Sequence, residues 1–144
     1  MVRIVLGLLA CVAALFAAGE YADPAPSWET PRQIVFDISE MESKETGGPI
    51  SNINNVIKGY GADKVEVEVV VWGPALKHLL KGDELMAARF KALQLLNVEI
   101  VACGNTMETY HIKKEELIDG VETVKTGLIE VIERKLSGWT HIKL

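Results

Sequence analysis

Cys103 is the residue of this chain whose type and position best suit covalent chemistry. It ends an apolar segment, Val98–Cys103, and is followed directly by Gly104, Asn105 and Thr106. The amides of these three residues lead into a predicted helical turn, where N–H groups and the helix dipole favour an anion. A thiolate at such a position has a lowered pKa and is more nucleophilic. A free cysteine that ends a core strand is equally typical of a buried, inert residue, so the pattern leaves both interpretations open.

Segments that follow two other predicted strands are expected to lie near Cys103. Ligands of open parallel sheets bind outside the carboxyl ends of the strands. One such end opens into the loop Ser39–Pro49, and another runs into Trp72-Gly73-Pro74. Two histidines also follow strand ends and are expected to approach the same edge of the sheet, here called the rim. The predicted binding residues are therefore Gly104, Asn105, Thr106, Gly73, Pro74, His78 and His111.

No metal or organic cofactor is expected at this rim. The spacing of His78, His111 and His141 matches no compact metal-ligand motif, and His141 is expected to be structural. The glycines of Gly59-Tyr60-Gly61 end a predicted helix instead of following a strand, so they do not form a dinucleotide fingerprint. The chain also has no phosphate-binding Gly-Lys-Ser/Thr loop.

The N-terminus has the pattern of a secretory signal peptide over residues 1–19. Arg3 precedes an apolar stretch that ends in small residues, and a polar segment follows Gly19. Two alternatives are an uncleaved membrane anchor and a lipoprotein attached at Cys11. The apolar stretch is short for a membrane span, which takes about 20 residues, and it continues past Cys11. A periplasmic or secreted location is therefore expected, and cleavage would leave Cys103 without an intramolecular partner.

Composition limits the classes of partner. Removal of residues 1–19 from the 144-residue chain leaves 125 residues, which suits one domain. The loss of Arg3 takes the formal net charge from −5 to −6. An acidic chain without a basic cluster is a poor binder of nucleic acid. No second apolar run is long enough to span a bilayer, so no membrane contact is expected after cleavage.

Strand and helix patterns alternate along the chain. Residues 20–32 are rich in proline and predict an extended arm, and residues 33–144 predict a single α/β domain. In the segment Lys64–Trp72 valines alternate with Glu66 and Glu68, which places these two acids on an exposed side of its first half. The predicted strands are Gln33–Ile38, Lys64–Trp72, Val98–Cys103, Val121–Val124 and Trp139–Lys143. The predicted helices are Ile50–Tyr60, Ala75–Leu80, Asp83–Leu96, Met107–His111, Lys113–Ile118 and Gly127–Leu136.

This alternation predicts a three-layer α/β sandwich with a mainly parallel sheet of about five strands and helices on both faces. The last predicted helix, Gly127–Leu136, is expected to bury its apolar side chains. These are Leu128, Ile129, Val131, Ile132 and Leu136.

Several segments resemble the DsrE/DsrF-like sulfur-relay family, most closely its exported branch. The matching segments are Val-Val-Val-Trp-Gly-Pro-Ala at 69–75, the stretch at 91–107 that ends in Ala-Cys-Gly-Asn-Thr-Met, Gly-Val-Glu-Thr-Val at 120–124 and Gly-Trp-Thr-His-Ile-Lys at 138–143. The resemblance implies a parallel α/β fold of flavodoxin-like topology and homo- or hetero-oligomers, often trimers or hexamers, of which a homo-oligomer is expected here. It also implies that Cys103 accepts sulfur as a persulfide from a donor protein and passes it to an acceptor protein.

The leading hypothesis is therefore a periplasmic sulfur carrier. A carrier is favoured over a turnover enzyme because no acid–base pair is visible beside the thiol. A competing hypothesis is a non-catalytic oligomeric module that binds a small ligand or a partner at the rim, with Trp28, Trp72 and Trp139 in subunit contacts. A third is redox sensing through an intermolecular disulfide between two copies of Cys103.

Overall fold

The computed structural model describes residues 21–41 and 48–144. The predicted signal peptide, the alternative lipid site at Cys11 and most of the loop after the first strand lie outside the described residues. Within the described residues, no helix is long and apolar enough to cross a membrane.

Five strands, four α-helices and two 3₁₀ helices form the described part of the chain. The strands are β1 Arg32–Ile38, β2 Val65–Val71, β3 Glu99–Cys103, β4 Glu122–Val124 and β5 Thr140–Lys143. The α-helices are α1 Pro49–Tyr60, α2 Glu84–Gln94, α3 Gly104–Thr109 and α4 Gly127–Leu136, and the 3₁₀ helices are Gly73–Leu79 and Lys114–Glu116. Each element lies close to its predicted position. The helix predicted at Ala75–Leu80 and the one predicted at Lys113–Ile118 are 3₁₀.

The sheet confirms the predicted fold class. All its pairings are parallel, and the strand order is β4-β3-β2-β1-β5. Both this order and the flavodoxin order 2-1-3-4-5 reverse direction at the first strand. The flavodoxin-like description therefore holds for the architecture, whereas the strand order itself differs.

The strand order decides which face each helix covers. Crossovers between parallel strands are right-handed, so the three steps from β1 to β4 in one direction place their helices on one face. The return from β4 to the far side of β1 places α4 on the other face. Helices α1 and α2 and the 3₁₀ helix Gly73–Leu79 accordingly pack in one large core, which includes Phe36, Ile53 and Phe90. The opposite face has a small core of Val35, Val70, Val101 and Val131.

Helix α4 does not bury the side chains that the sequence pattern assigned to the core. Of the five apolar residues predicted to face inward, only Val131 is buried, at 4% exposure. The other four form a stripe on the outer side of the helix, here called the α4 stripe: Leu128 (49% exposed), Ile129 (56%), Ile132 (52%) and Leu136 (77%). Among the described residues, no other helix lies on this face to cover the flanks of this ten-residue helix, so its apolar surface is larger than the area that the sheet covers.

A buried ion pair attaches α4 to the sheet. Glu68 is fully buried beneath the helix, which corrects the expectation that it lies on an exposed side of β2; Glu66 is exposed as expected. Arg134 forms a salt bridge to Glu68 and also donates to Glu130 at 2.9 Å and to Glu99 at 3.5 Å. Burial raises the pKa of Glu68 to about 7, against the lowering effect of Arg134 and with smaller raising effects of Glu130 and Glu99.

The segment before β1 contacts the domain through polar groups. Residues 21–31 contain no helix or strand. The Tyr21 hydroxyl donates to the carbonyl of Gly59 at 2.8 Å, and Arg32 Nη2 donates to the carbonyls of Ala22 at 2.6 Å and Pro24 at 2.8 Å. These contacts hold the arm at the end of the sheet opposite to Cys103.

Candidate functional site

Cys103 lies where β3 meets the beginning of α4. The thiol is 5% exposed, and alternation along the strand directs it to the α4 face. The Gly127 amide, in the first turn of α4, donates a hydrogen bond to Cys103 Sγ at 3.2 Å. Glycine is needed here because a Cβ on Gly127 would lie 3.1 Å from Cys103 Cβ and 3.1 Å from Val70 Cγ1. The helix N-terminus can therefore approach the sulfur directly.

A second set of donors comes from the residues that follow Cys103. Burial raises the pKa of the Cys103 thiol, but the hydrogen bond from the Gly127 amide, together with the nearby hydroxyl and amide of Thr106 and the amide of Asn105, lowers it by more. The pKa of Cys103 therefore lies below its usual value. Since these donors stabilise the anion, the site favours a thiolate.

Hydrogen bonds between neighbouring loops hold these donors in place. The Asn105 amide donates to the Lys125 carbonyl at 3.0 Å, and its side-chain amide donates to Thr126 Oγ1 at 3.1 Å. The Gly73 amide donates to Thr106 Oγ1 at 3.1 Å. Three strand ends are thus linked around one sulfur atom. The role of Gly127, 24 residues away in the chain, is not visible in the sequence pattern.

Four of the predicted binding residues meet around Cys103, namely Gly104, Asn105, Thr106 and Gly73. Gly104 fits closely, because a Cβ there would lie 2.9 Å from the carbonyl oxygen of Val124. Pro74 follows Gly73 in the first turn of the 3₁₀ helix and does not contact the sulfur through any hydrogen bond.

The two predicted histidines lie apart from the thiol. His78 is 4% exposed, its Nε2 lies 2.7 Å from the Met41 carbonyl, and its Nδ1 lies 2.8 Å from Asp83 Oδ2. Both ring nitrogens are therefore engaged, one with the chain after β1 and the other with the residue that caps α2. His111 is exposed just after α3, with a φ of 55°, and lines a groove beside that helix.

The groove, here called the α3–β4 groove, lies between α3, the segment 111–114 and the end of β4. Its volume is about 690 Å³. It is lined by Gly104, Met107, Glu108, His111, Ile112, Lys113, Lys114, Thr123, Val124 and Lys125. No local sequence pattern indicates this groove, because its lysines come from two segments that only the fold brings together.

A polar cluster on β1 and β5 was also missed. Asp37 is 4% exposed, His141 Nε2 lies 2.7 Å from Asp37 Oδ2, and Trp72 Nε1 donates to Asp37 Oδ1 at 3.4 Å. Strands β1 and β2 separate β5 from β3, and His141 is in register with Glu99, four residues before Cys103, so the two residues lie about 20 Å apart in the backbone. This distance is too long for direct proton transfer to the thiol. Within residues 21–41 and 48–144, no three His, Cys, Asp or Glu side chains group as metal ligands.

The fold and the site together define a class of protein. The described residues form a parallel α/β fold with a thiol at a strand end, beneath the N-terminus of a helix. The sequence model of the DsrE/DsrF-like family matches residues 30–144, and the chain belongs to this family. The resemblance seen in the sequence is thereby confirmed. A search of curated proteins finds no match to the chain.

Solved structures share the fold. The protein of unknown function MTH1491 from Methanobacterium thermoautotrophicum is 26% identical, with a TM-score of 0.72 over 78% of this chain and 99% of its own. The ychN protein from E. coli is 16% identical, with a TM-score of 0.64 over 79% of this chain and 99% of its own. BT1422 from Bacteroides thetaiotaomicron, a conserved protein of unknown function, is 14% identical, with a TM-score of 0.62 over 78% and 94%. The last two likenesses show the fold alone.

Proposed function

We propose that this chain is an exported sulfur-handling protein in which Cys103 accepts a sulfane sulfur as a persulfide and passes it on. The family supports a sulfur-relay type of function. The observation that carries the proposal is the hydrogen bond from the Gly127 amide to Cys103 Sγ at 3.2 Å, at the N-terminus of α4. Donors placed in this way stabilise a sulfur anion both as a nucleophile and as a leaving group.

Each transfer needs only thiolate exchange. The Cys103 thiolate attacks a sulfane sulfur of the donor, a new S–S bond forms, the donor's S–S bond breaks, and its electron pair leaves with the donor thiolate. In the second step an acceptor thiolate attacks the outer sulfur, and Cys103 leaves as a thiolate. Electrons balance within each exchange, so neither an oxidant nor an acid–base pair is required. This chemistry suits a carrier more than a turnover enzyme.

The test is the intact mass of the full chain after exposure to polysulfide. A Cys11→Ser background leaves Cys103 as the one thiol. We expect a gain of about 32 Da that a thiol reductant removes and that Cys103→Ser abolishes. No gain, together with a thiol that alkylating reagents reach only after denaturation, would overturn the proposal.

The burial of the thiol favours one second candidate function. Because Cys103 is 5% exposed, sulfur transfer requires that its contacts with Gly127 or Thr106 open briefly. A non-catalytic oligomeric module that binds a small ligand or a partner needs no such opening. In that case Cys103→Ser leaves binding and assembly unchanged. The same burial argues against a disulfide between two copies of Cys103, which requires both sulfur atoms at a surface.

We also propose that the chain forms a homo-oligomer through the α4 stripe. Four large apolar side chains, all about half exposed or more, lie on one side of this helix. Contiguous apolar patches of this kind mark interaction sites, and a second copy presents the same patch in a two-fold contact. The family resemblance favours a trimer or a hexamer, which needs a further contact besides this one. Donor and acceptor proteins are proposed as additional, transient partners.

The proposed location is the periplasm or the exterior, after cleavage of residues 1–19. The support is the charged start, the apolar stretch and the small residues before the expected cleavage point. No binding of nucleic acid or membrane is proposed for the mature chain, because its formal charge is negative.

A further inference from the structure

We propose that the α3–β4 groove binds a small organic anion. A second step rests on the proposed function: this anion is the small molecule that delivers the sulfur to Cys103, and it bears carboxylates. The groove volume of about 690 Å³ suits a molecule of the size of a short peptide. The case rests on the charge of the groove, on its apolar floor and on its link to the thiol.

The charge of the groove is opposite to that of the chain as a whole. Lys113, Lys114 and Lys125 line it, together with the ring of His111, and Glu108 is the one acid in the lining. The whole chain carries a formal charge of −5. The ion pairs among the described residues involve other basic groups, so these three ammonium groups have no carboxylate partner there. Three unpaired cations around one concave surface attract an anion.

The floor of the groove favours an organic anion over an inorganic one. Met107, Ile112 and Val124 contribute apolar surface to the lining. An inorganic anion leaves this surface in contact with water, whereas an organic anion covers it while its carboxylates reach the lysines at the rim.

The groove shares its wall with the thiol site. Gly104 lines the groove and follows Cys103 directly. The Lys125 carbonyl accepts the Asn105 amide at 3.0 Å, and the segment continues through Thr126 to Gly127, whose amide contacts Sγ. An anion held by the Lys125 side chain therefore acts on the same short segment that covers the sulfur.

Sulfur transfer from such a donor to Cys103 balances in atoms and electrons. The Cys103 thiolate attacks the outer sulfur of an organic persulfide, and the bond between the two donor sulfurs breaks. The small-molecule donor leaves as a thiolate. The transferred sulfur remains bound to Cys103 as a persulfide, either protonated or as the anion. The lysines hold the carboxylates of the donor and take no part in the bond changes.

Binding is tested first with a probe that cannot exchange sulfur. S-methylglutathione is titrated into the full chain by calorimetry, against Lys113→Gln/Lys114→Gln/Lys125→Gln and a control, Lys58→Gln/Lys64→Gln/Lys91→Gln, at exposed lysines elsewhere. We expect the groove variant to weaken binding at least about tenfold and the control to stay within about twofold. Binding should also weaken with added salt, and the dimethyl ester of the probe, which lacks both carboxylates and keeps its ammonium group, should not bind.

The outcomes separate the groove from the proposed function. No binding of the probe to the unmodified chain, or equal loss in both triple variants, would overturn the groove. If the groove variant alone loses binding but Cys103 takes up no sulfur from polysulfide, the groove is supported and the proposed function fails. If Cys103 takes up sulfur and the groove variant binds the probe normally, the proposed function stands and the groove proposal is wrong.

Discussion

At the scale of single residues, Gly127 controls the environment of the thiol. Its amide is the donor to Cys103 Sγ, and its missing side chain allows that approach. In Gly127→Ala the new methyl group lies 3.1 Å from Cys103 Cβ and from Val70 Cγ1, so we expect the start of α4 to shift away from the sulfur by a few tenths of an ångström. We expect a loss of about 1–3 kcal/mol of stability and a higher pKa of the thiol.

The pKa is measured from the rate of alkylation by iodoacetamide as a function of pH. The control is Gly59→Ala in α1, where nothing lies within 4 Å of the added Cβ. This change should leave the alkylation profile unaltered and stabilise the protein slightly, because alanine has the higher helix propensity. An alkylation midpoint that does not move in Gly127→Ala would show that the α4 amide has no influence on the thiol.

The raised pKa of Glu68 predicts how the stability of the protein depends on pH. Its pKa in the folded protein is raised from 4.5 to about 7, mainly by burial. The folded state therefore binds more protons than the unfolded chain between these values, and stability falls as the pH rises from about 4.5 to about 7. The contribution of this residue amounts to about 3 kcal/mol, fully lost above pH 7.

Unfolding in urea at several pH values between 4.5 and 8 checks this expectation. Glu68→Gln keeps the size of the side chain and leaves Arg134 with its partners Glu130 and Glu99, so its stability should vary less with pH. Glu66→Gln, on the exposed part of the same strand, serves as the control and should retain the slope of the unmodified chain. Parallel slopes in all three proteins would contradict the assignment to Glu68.

At the scale of elements, the α4 stripe makes a prediction about assembly. Ile129→Gln/Ile132→Gln preserves helix propensity but removes two of the exposed apolar side chains. Each side chain contributes about 1 kcal/mol if an interface covers its exposed part. We expect the oligomer to dissociate at concentrations at which the unmodified chain remains associated, as measured by light scattering after size exclusion.

Leu85→Gln/Leu95→Gln removes two other exposed leucines that do not belong to the stripe, and this control should assemble normally. A monomeric unmodified chain at high concentration would contradict the prediction. So would an oligomer that persists unchanged in the stripe variant.

The helices and strands themselves were largely predictable from the sequence, whereas the side of α4 that is buried against the sheet was not. The bounds of α4 were predicted as observed, and α2 begins where its helix was predicted to begin, at Asp83, whose Oδ1 accepts the Met86 amide at 3.2 Å as an N-cap. These are local properties of the chain. Which side of an apolar helix meets the sheet depends on what else covers that face, and within residues 21–41 and 48–144 the strand order places only α4 there. The burial of Glu68 has the same cause, because its cation lies 66 residues further along the chain.

The candidate site likewise has one part that was predictable from the sequence and one part that was not. Cys103, Gly104, Asn105 and Thr106 are contiguous, and a strand-to-helix pattern was sufficient to single them out. The Gly127 amide and the lysines of the α3–β4 groove reach the site through the packing of β4 and the start of α4. His78 satisfies the same sequence criteria as His111, but its neighbours in the fold engage both of its nitrogens.

At the scale of the whole molecule, the N-terminal pattern predicts processing. Expression with an active secretion system should yield, in the periplasmic fraction, a chain whose mass corresponds to residues 20–144. A charge in the apolar stretch, as in Leu9→Arg, should block this step because the signal loses its hydrophobic region. An intact chain in the membrane would instead indicate an anchor, and a lipid mass on Cys11 would indicate a lipoprotein.

The pairing of β5 with β1 has a consequence for how the chain is made. The two strands pair in register from Ile34 with Thr140 to Asp37 with Lys143. Strand β1 therefore completes its pairing only with β5, which follows the other strands in the sequence. Synthesis proceeds from the N-terminus, and contacts between distant segments form slowly. A nascent chain therefore holds β1 with one open edge until β5 emerges from the ribosome. Under the proposed export, this interval lets the precursor reach the translocation machinery before its fold closes.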